Sequence, residues 1–160
     1  ILSVRENMSL ANLPSYCNKL KFVQTAREER EVDEMVERMN VKLSTPAQPI
    51  GSLSGGNQQK AILGKWLLTK PNVLILDEPT RGIDVGAKYE IYSLIAKRAA
   101  EGMAVILISS ELPEVIGVSD RVAVMHEGCL AGFLEGEEVT EENIMKLASG
   151  EQLAEKELRQ

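Results

Sequence analysis

Apolar positions follow two regimes along this chain, and the change comes at Pro71. Ahead of it the spacing is helical. Residues 3–13 predict a short helix capped by Ser3, with Glu6 three residues on to complete a capping box. Residues 14–26 predict irregular chain around Pro14. Val32, Met35, Val36 and Met39 recur at i, i+3, i+4 and i+7, which lays one apolar stripe along a charged helix around Arg27–Met39. Pro46 and Pro49 mark a loop. A further helix is predicted from Gly56 to Thr69, with Ile62, Leu63, Trp66 and Leu67 on its buried side, and Lys70-Pro71 ends it.

After Pro71 the apolar residues come in unbroken runs, Val73 to Leu76 and Ala104 to Ile108. Such runs suit parallel strands buried on both faces. Between them Val85, Tyr89, Tyr92, Ile95, Ala96 and Ala99 form a helical stripe, closed by Glu101-Gly102. Strand, helix and strand make a βαβ unit with a right-handed crossover. "RVAVMHEGCLAGFL" predicts two strands joined by a turn at Glu127-Gly128. Thr140 to Ala148 predicts a helix with Thr140 as N-cap and Glu141 and Glu142 at its positive end. Residues 151–160 are expected to fray.

Composition narrows the class. The chain has 160 residues, 44% of them hydrophobic, and a net charge of −6. An acidic chain with a pI near 5.0 lacks the basic stripe of a nucleic-acid binder, so no nucleic-acid partner is expected. Cys17 and Cys129 have neither metal-ligand spacing nor a disulfide pattern, which fits a reducing cytoplasm. No apolar run approaches the roughly 20 residues of a membrane span, and no signal peptide is visible. The chain opens at Ile1 in mid-pattern, so the expectation is a piece of something longer.

Two stretches carry chemistry. In "VLILDEPT" a buried strand ends at Asp77, with Glu78 next. Carboxylates at the carboxyl end of a parallel strand sit where α/β sheets bind ligands. An Asp placed so in P-loop NTPases holds Mg²⁺, and an adjacent carboxylate can orient an attacking water. The plainer alternative is a strand cap followed by a turn. In "LSGGNQQK" Ser54, Gly55 and Gly56 open a helix and offer backbone N–H groups to an anion without a Cβ in the way. Ser54 can cap that helix or reach a terminal phosphate. The plainer alternative is an ordinary N-cap. No G-x-x-x-x-G-K-[ST] phosphate loop accompanies them.

"LSGGNQQK" followed by "LILDEPTRGIDVGAKYEIY" and "ILISSELPEV" resembles the ATP-binding proteins of ABC transporters. More narrowly it resembles the second nucleotide-binding domain of the ATPases that drive monosaccharide uptake, of ribose and galactose/methyl-galactoside type, over roughly Leu2 to Ser149. The resemblance implies an α/β, partial P-loop NTPase domain: a helical subdomain at 1–70, a Walker B and D-loop part at 71–150 and a tail at 151–160. It implies a mostly parallel sheet that lacks the P-loop strand, expected between the strand at 104–108 and the one near 121–126. A chain missing that strand is expected to be marginal or self-associating alone, and to bind nucleotide poorly.

The same resemblance implies the site. Leu53 to Gln59 match the signature motif, so Ser54, Gly55, Gly56 and Gln58 would contact ATP held by a partner nucleotide-binding domain. Asp77 would hold Mg²⁺ through water, Glu78 would serve catalysis, and Asp84 would lie in the D-loop, where it can also cap a helix. Ser110 falls where many ABC ATPases carry a switch histidine, which implies a degenerate site on this domain's own Walker B. His126 is expected to be structural. ATP and Mg²⁺ are the implied cofactors. The implied partners are transmembrane permease subunits and, indirectly, a sugar-binding protein, with the protein peripheral on the cytoplasmic face of the membrane. The helical subdomain would meet the membrane subunit. Two alternatives remain: a non-transport ABC-type ATPase, or a non-catalytic half that only completes a partner's site.

Overall fold

The computed structural model describes residues 2–151. Two compact units divide the chain, residues 1–106 and 107–160. The boundary expected at 70/71 therefore lies inside the first unit, and the tail expected to fray lies almost wholly outside the described residues.

The first unit begins with α1 (Val4–Ser9), which Ser3 starts with the expected capping box: the Ser3 hydroxyl accepts from the Glu6 N–H, and the Glu6 carboxylate accepts from the Ser3 N–H. A 3₁₀ segment carries the chain through Pro14 to α2 (Thr25–Arg38). After the proline loop come α3 (Gly55–Leu67), β1 (Val73–Asp77), α4 (Val85–Ala100) and β2 (Ala104–Ile108). Gly102, in the left-handed region at φ 95°, follows the end of α4 as expected. β1 and β2 form a two-stranded sheet, the small parallel sheet of the βαβ unit.

Three faces differ from the expected ones. On α3, Ile62 and Trp66 are exposed, and the buried row is Gly56, Lys60, Ala61, Leu63, Gly64 and Leu67. Small residues explain the shift. A Cβ on Gly64 would lie 2.6 Å from Met8 Cε and 3.2 Å from Met35 Cγ, so the methionines of α1 and α2 fill the space beside the bare backbone of Gly64. On α4, Val85 and Tyr89 of the expected stripe are exposed, while Ile95 is buried as expected and Ile91, outside that stripe, joins it in the core. Tyr89 packs edge-on to Tyr92, with ring centroids 6.3 Å apart. On β1, Leu74 and Leu76 are buried while Val73 and Ile75 face out, so burial on one face replaces the expected burial on both.

The second unit holds α5 (Leu112–Val118), β3 (Arg121–His126), β4 (Cys129–Glu135) and α6 (Glu141–Ala148). β3 and β4 form the expected antiparallel hairpin, with a register shift between Val124 and Met125. Glu127 and Gly128 both take positive φ, 45° and 79°, as a two-residue hairpin turn of this hand requires. Val122, Val124 and Leu134 pack on Ile144 and Leu147 of α6. Thr140 caps α6 as expected, its hydroxyl accepting from the Asn143 N–H. His126 Nδ1 lies 2.7 Å from the Ala148 carbonyl; a carbonyl only accepts, so the imidazole donates and ties β3 to the end of α6.

Candidate functional site

The start of α3 rests on the start of α4. A Cβ on Gly56 would fall 2.5 Å from Ala87 Cβ, closer than side chains approach, so only glycine allows this contact. A Cβ on Gly55 would meet Ile83 Cγ2 at 3.6 Å, an ordinary contact. The sequence elements around Ser54 and Asp84 are thus brought together within one unit. Farther along the same helices, Lys60 is buried, and its ammonium donates to the Asn40 carbonyl at 3.0 Å and forms an ion pair with Glu90 of α4. The hydrogen bond from Lys60, ahead of its charge, holds the Glu90 carboxyl below the usual carboxylate range.

The loop between β1 and α4 is held at Pro79–Thr80 and at Asp84. Pro79 and Thr80 are fully buried, and the Thr80 hydroxyl lies 3.4 Å from the Tyr92 hydroxyl. Asp84 caps α4, its carboxylate accepting from the Ala87 N–H at 2.9 Å. Asp77 ends β1 exposed to solvent, and Glu78 follows in the left-handed region at φ 46°. A non-glycine residue held there stores backbone strain, which collects at functional sites.

At the tip of α3, Ser54 takes the N-cap position, but its hydroxyl accepts no backbone N–H. It accepts instead from Asn57 Nδ2, at 2.9 Å. The helix ladder begins with the Gln58 N–H donating to the Ser54 carbonyl, so the N–H groups of Gly55, Gly56 and Asn57 precede it. Two bare glycines and uncapped N–H groups at the positive end of a 13-residue helix suit an oxyanion such as a terminal phosphate. Gln58 turns its amide back to the Leu53 carbonyl at 2.8 Å.

The donor set also bears on a cation. Among the described residues no three His, Cys, Asp or Glu side chains gather as a metal cage. One exposed aspartate beside one glutamate fits Mg²⁺, which keeps several waters and takes one or two carboxylates plus substrate phosphates. Ser110 belongs to the second unit, exposed just after β2. Its neighbour Ser109 hydrogen-bonds the buried Glu114 carboxylate and accepts from the Glu111 N–H at 3.0 Å.

Asn57, Lys60, Glu90 and Glu114 carry contacts that sequence reasoning did not assign. Lys60 left one signal, a charge in register with the glycines at 56 and 64, which marks a face where backbones approach.

The family profile described as ABC transporter matches residues 1–81. The chain belongs to the ABC transporter family. A Pseudomonas fluorescens protein, provisionally named a ribose/galactose/methyl galactoside import ATP-binding protein, is 60% identical over 149 residues, 93% of this chain and 29% of that protein. A ribose import ATP-binding protein of Clostridium perfringens is 53% identical, again over 93% of this chain and 30% of its own length. This ABC chain therefore spans less than a third of the curated relatives it matches. Among solved structures, an ATP-binding cassette of an ABC transporter superposes with a TM-score of 0.76 at 20% identity, over 91% of this chain and 62% of that one. Its ADP conformation gives 0.69 at 25% identity, over 92% and 59%. The fold is the α/β fold of these cassettes, of P-loop NTPase type.

Proposed function

We propose that this chain is part of the ATP-hydrolysing component of a monosaccharide importer, and that the tip of α3 clamps ATP bound to a second nucleotide-binding domain. The observation that carries the reading is the α3 start itself: two glycines, no side-chain cap, and an exposed Ser54 hydroxyl, braced on the loop that ends at Asp84. Ser54 and the N–H groups of Gly55 and Gly56 bind the γ-phosphate, and Gln58 supports the turn that presents them. Asp84 holds the D-loop in place at the same interface. Bound Mg²⁺ spreads the charge that develops on the transferred phosphoryl group. Asp77 would hold that ion through water at this domain's own site, and Glu78 would orient the attacking water there. Ser110 can neither carry positive charge nor relay a proton as a histidine does, so the site built on Asp77 and Glu78 is the weaker of two. The names of the relatives, which are import ATP-binding proteins for ribose or galactose and methyl galactoside, support sugar import. Membrane permease subunits, a place on the cytoplasmic face of the membrane and a sugar-binding protein upstream complete the proposed assembly. The reaction is ATP and water to ADP and phosphate.

Gly55→Asp in the intact protein tests this. The open contact at Gly55 tolerates a side chain, and an acid in a first helical turn favours the helix, so the fold is expected to hold. The carboxylate repels phosphate, so turnover should fall by at least about 10²-fold, the scale of losing an oxyanion donor. Glu78→Gln should cost less. Wild-type turnover in Gly55→Asp contradicts the clamp, and an equally severe Glu78→Gln contradicts the asymmetry.

A further inference from the structure

Asn57 is the residue whose contacts the clamp leaves unexplained. Its Oδ1 accepts from the Lys42 backbone N–H at 2.8 Å. A backbone N–H only donates, so this bond settles which end of the Asn57 amide is the oxygen. The NH₂ end therefore faces Ser54 and donates to Oγ at 2.9 Å. One lone pair of the Ser54 hydroxyl is thereby taken, and no backbone N–H competes for it. The hydroxyl proton cannot point at the amide that donates to it, so it turns away from Asn57. Of the three staggered positions on the oxygen, the amide fills one as a lone-pair contact, and the O–H and the second lone pair share the other two, both directed away from Asn57. Without the amide the proton could take all three positions, including the one turned from the phosphate.

We infer that Asn57 is a positioning residue for phosphate recognition: clamped by the Lys42 N–H, it orders the Ser54 hydroxyl as a donor toward the terminal phosphate of the nucleotide. The inference rests on the clamp reading above. It assigns Asn57 no contact with nucleotide, only control of the group that makes one. The chain from Lys42 through Asn57 to Ser54 also links the segment after α2 to the tip of α3, so the donor is set before nucleotide arrives.

A double-mutant cycle in the intact protein tests it, with turnover, KM for ATP and melting temperature measured for each variant. Ser54→Ala is expected to lower turnover by about tenfold, the scale of one hydrogen bond to a charged group. Asn57→Ala is expected to lower turnover to a similar extent in the wild-type background, with the loss in turnover and not in KM alone. In the Ser54→Ala background it should change turnover less than twofold, because the group it orders is gone. Equal losses in both backgrounds overturn the inference, since Asn57 would then act through the fold. Asn57→Asp guards against a variant that melts early: its carboxylate keeps the bond from Lys42 but accepts from Ser54 and draws the proton inward. Wild-type turnover in Asn57→Asp also overturns the inference. Unchanged turnover in Ser54→Ala overturns the clamp reading itself, a separate failure.

Discussion

Gly55 and Gly56 are adjacent and do different work. Gly56 is set by packing, since any Cβ there meets Ala87 at 2.5 Å. Gly56→Ala should therefore destabilise the protein by about 1–3 kcal/mol, the usual cost of overpacking, visible as an earlier thermal unfolding. Gly55 has room, so its substitution reads phosphate contact with the fold intact. Glu78 offers the converse test. Held at φ 46°, it is strained as glutamate and unstrained as glycine. Glu78→Gly and Glu78→Ala both remove the carboxylate, but only glycine relieves the strain, so Glu78→Gly should melt higher than Glu78→Ala; equal melting temperatures would contradict the strain. Single residues of this kind were partly legible in the sequence. The glycines and the acidic pair announced themselves by type, and Ser3, Thr140 and Asp84 by capping chemistry. The Asn57 bridge did not, because its partner Lys42 lies 15 positions away and contributes only backbone.

At the scale of elements, the α3–α4 pair carries the site. It is joined by a glycine contact at one end and the Lys60–Glu90 ion pair farther along. The Glu90 carboxyl sits below its ordinary value of 4.5, mainly through the hydrogen bond from Lys60. A depressed carboxylate stabilises the fold above the unfolded value and loses that contribution as pH falls through the folded one. The stability difference between wild type and Glu90→Gln should thus be constant from neutral pH down to about 4.5 and shrink below it. A difference that grows on acidification contradicts the assignment. Element types were legible from periodicity, and the hairpin turn from Glu127-Gly128. The buried faces of α3 and α4 were not, because the contact row is built on glycine, alanine and a paired lysine, which hydrophobicity does not mark. The runs at 73–76 and 104–108 were apolar throughout, so pattern alone could not say that one face of β1 would lie open.

On the scale of the whole molecule, that open face has a consequence. Val73, Ile75 and Ile106 are each at least half exposed on a two-stranded sheet. Contiguous apolar surface of this kind associates in water. The 160-residue chain by itself should sediment in a concentration-dependent way, and Ile75→Glu should reduce the association without loss of helix signal. A monomer at all concentrations would contradict this. Among the described residues no helix is long and apolar enough to cross a membrane. The most direct test of the account is a structure of the intact assembly, blocked in hydrolysis and loaded with ATP. The prediction is a γ-phosphate oxygen about 3 Å from Ser54 Oγ and from the N–H groups at the tip of α3. Nucleotide bound in the assembly with that tip out of reach of every phosphate would contradict it.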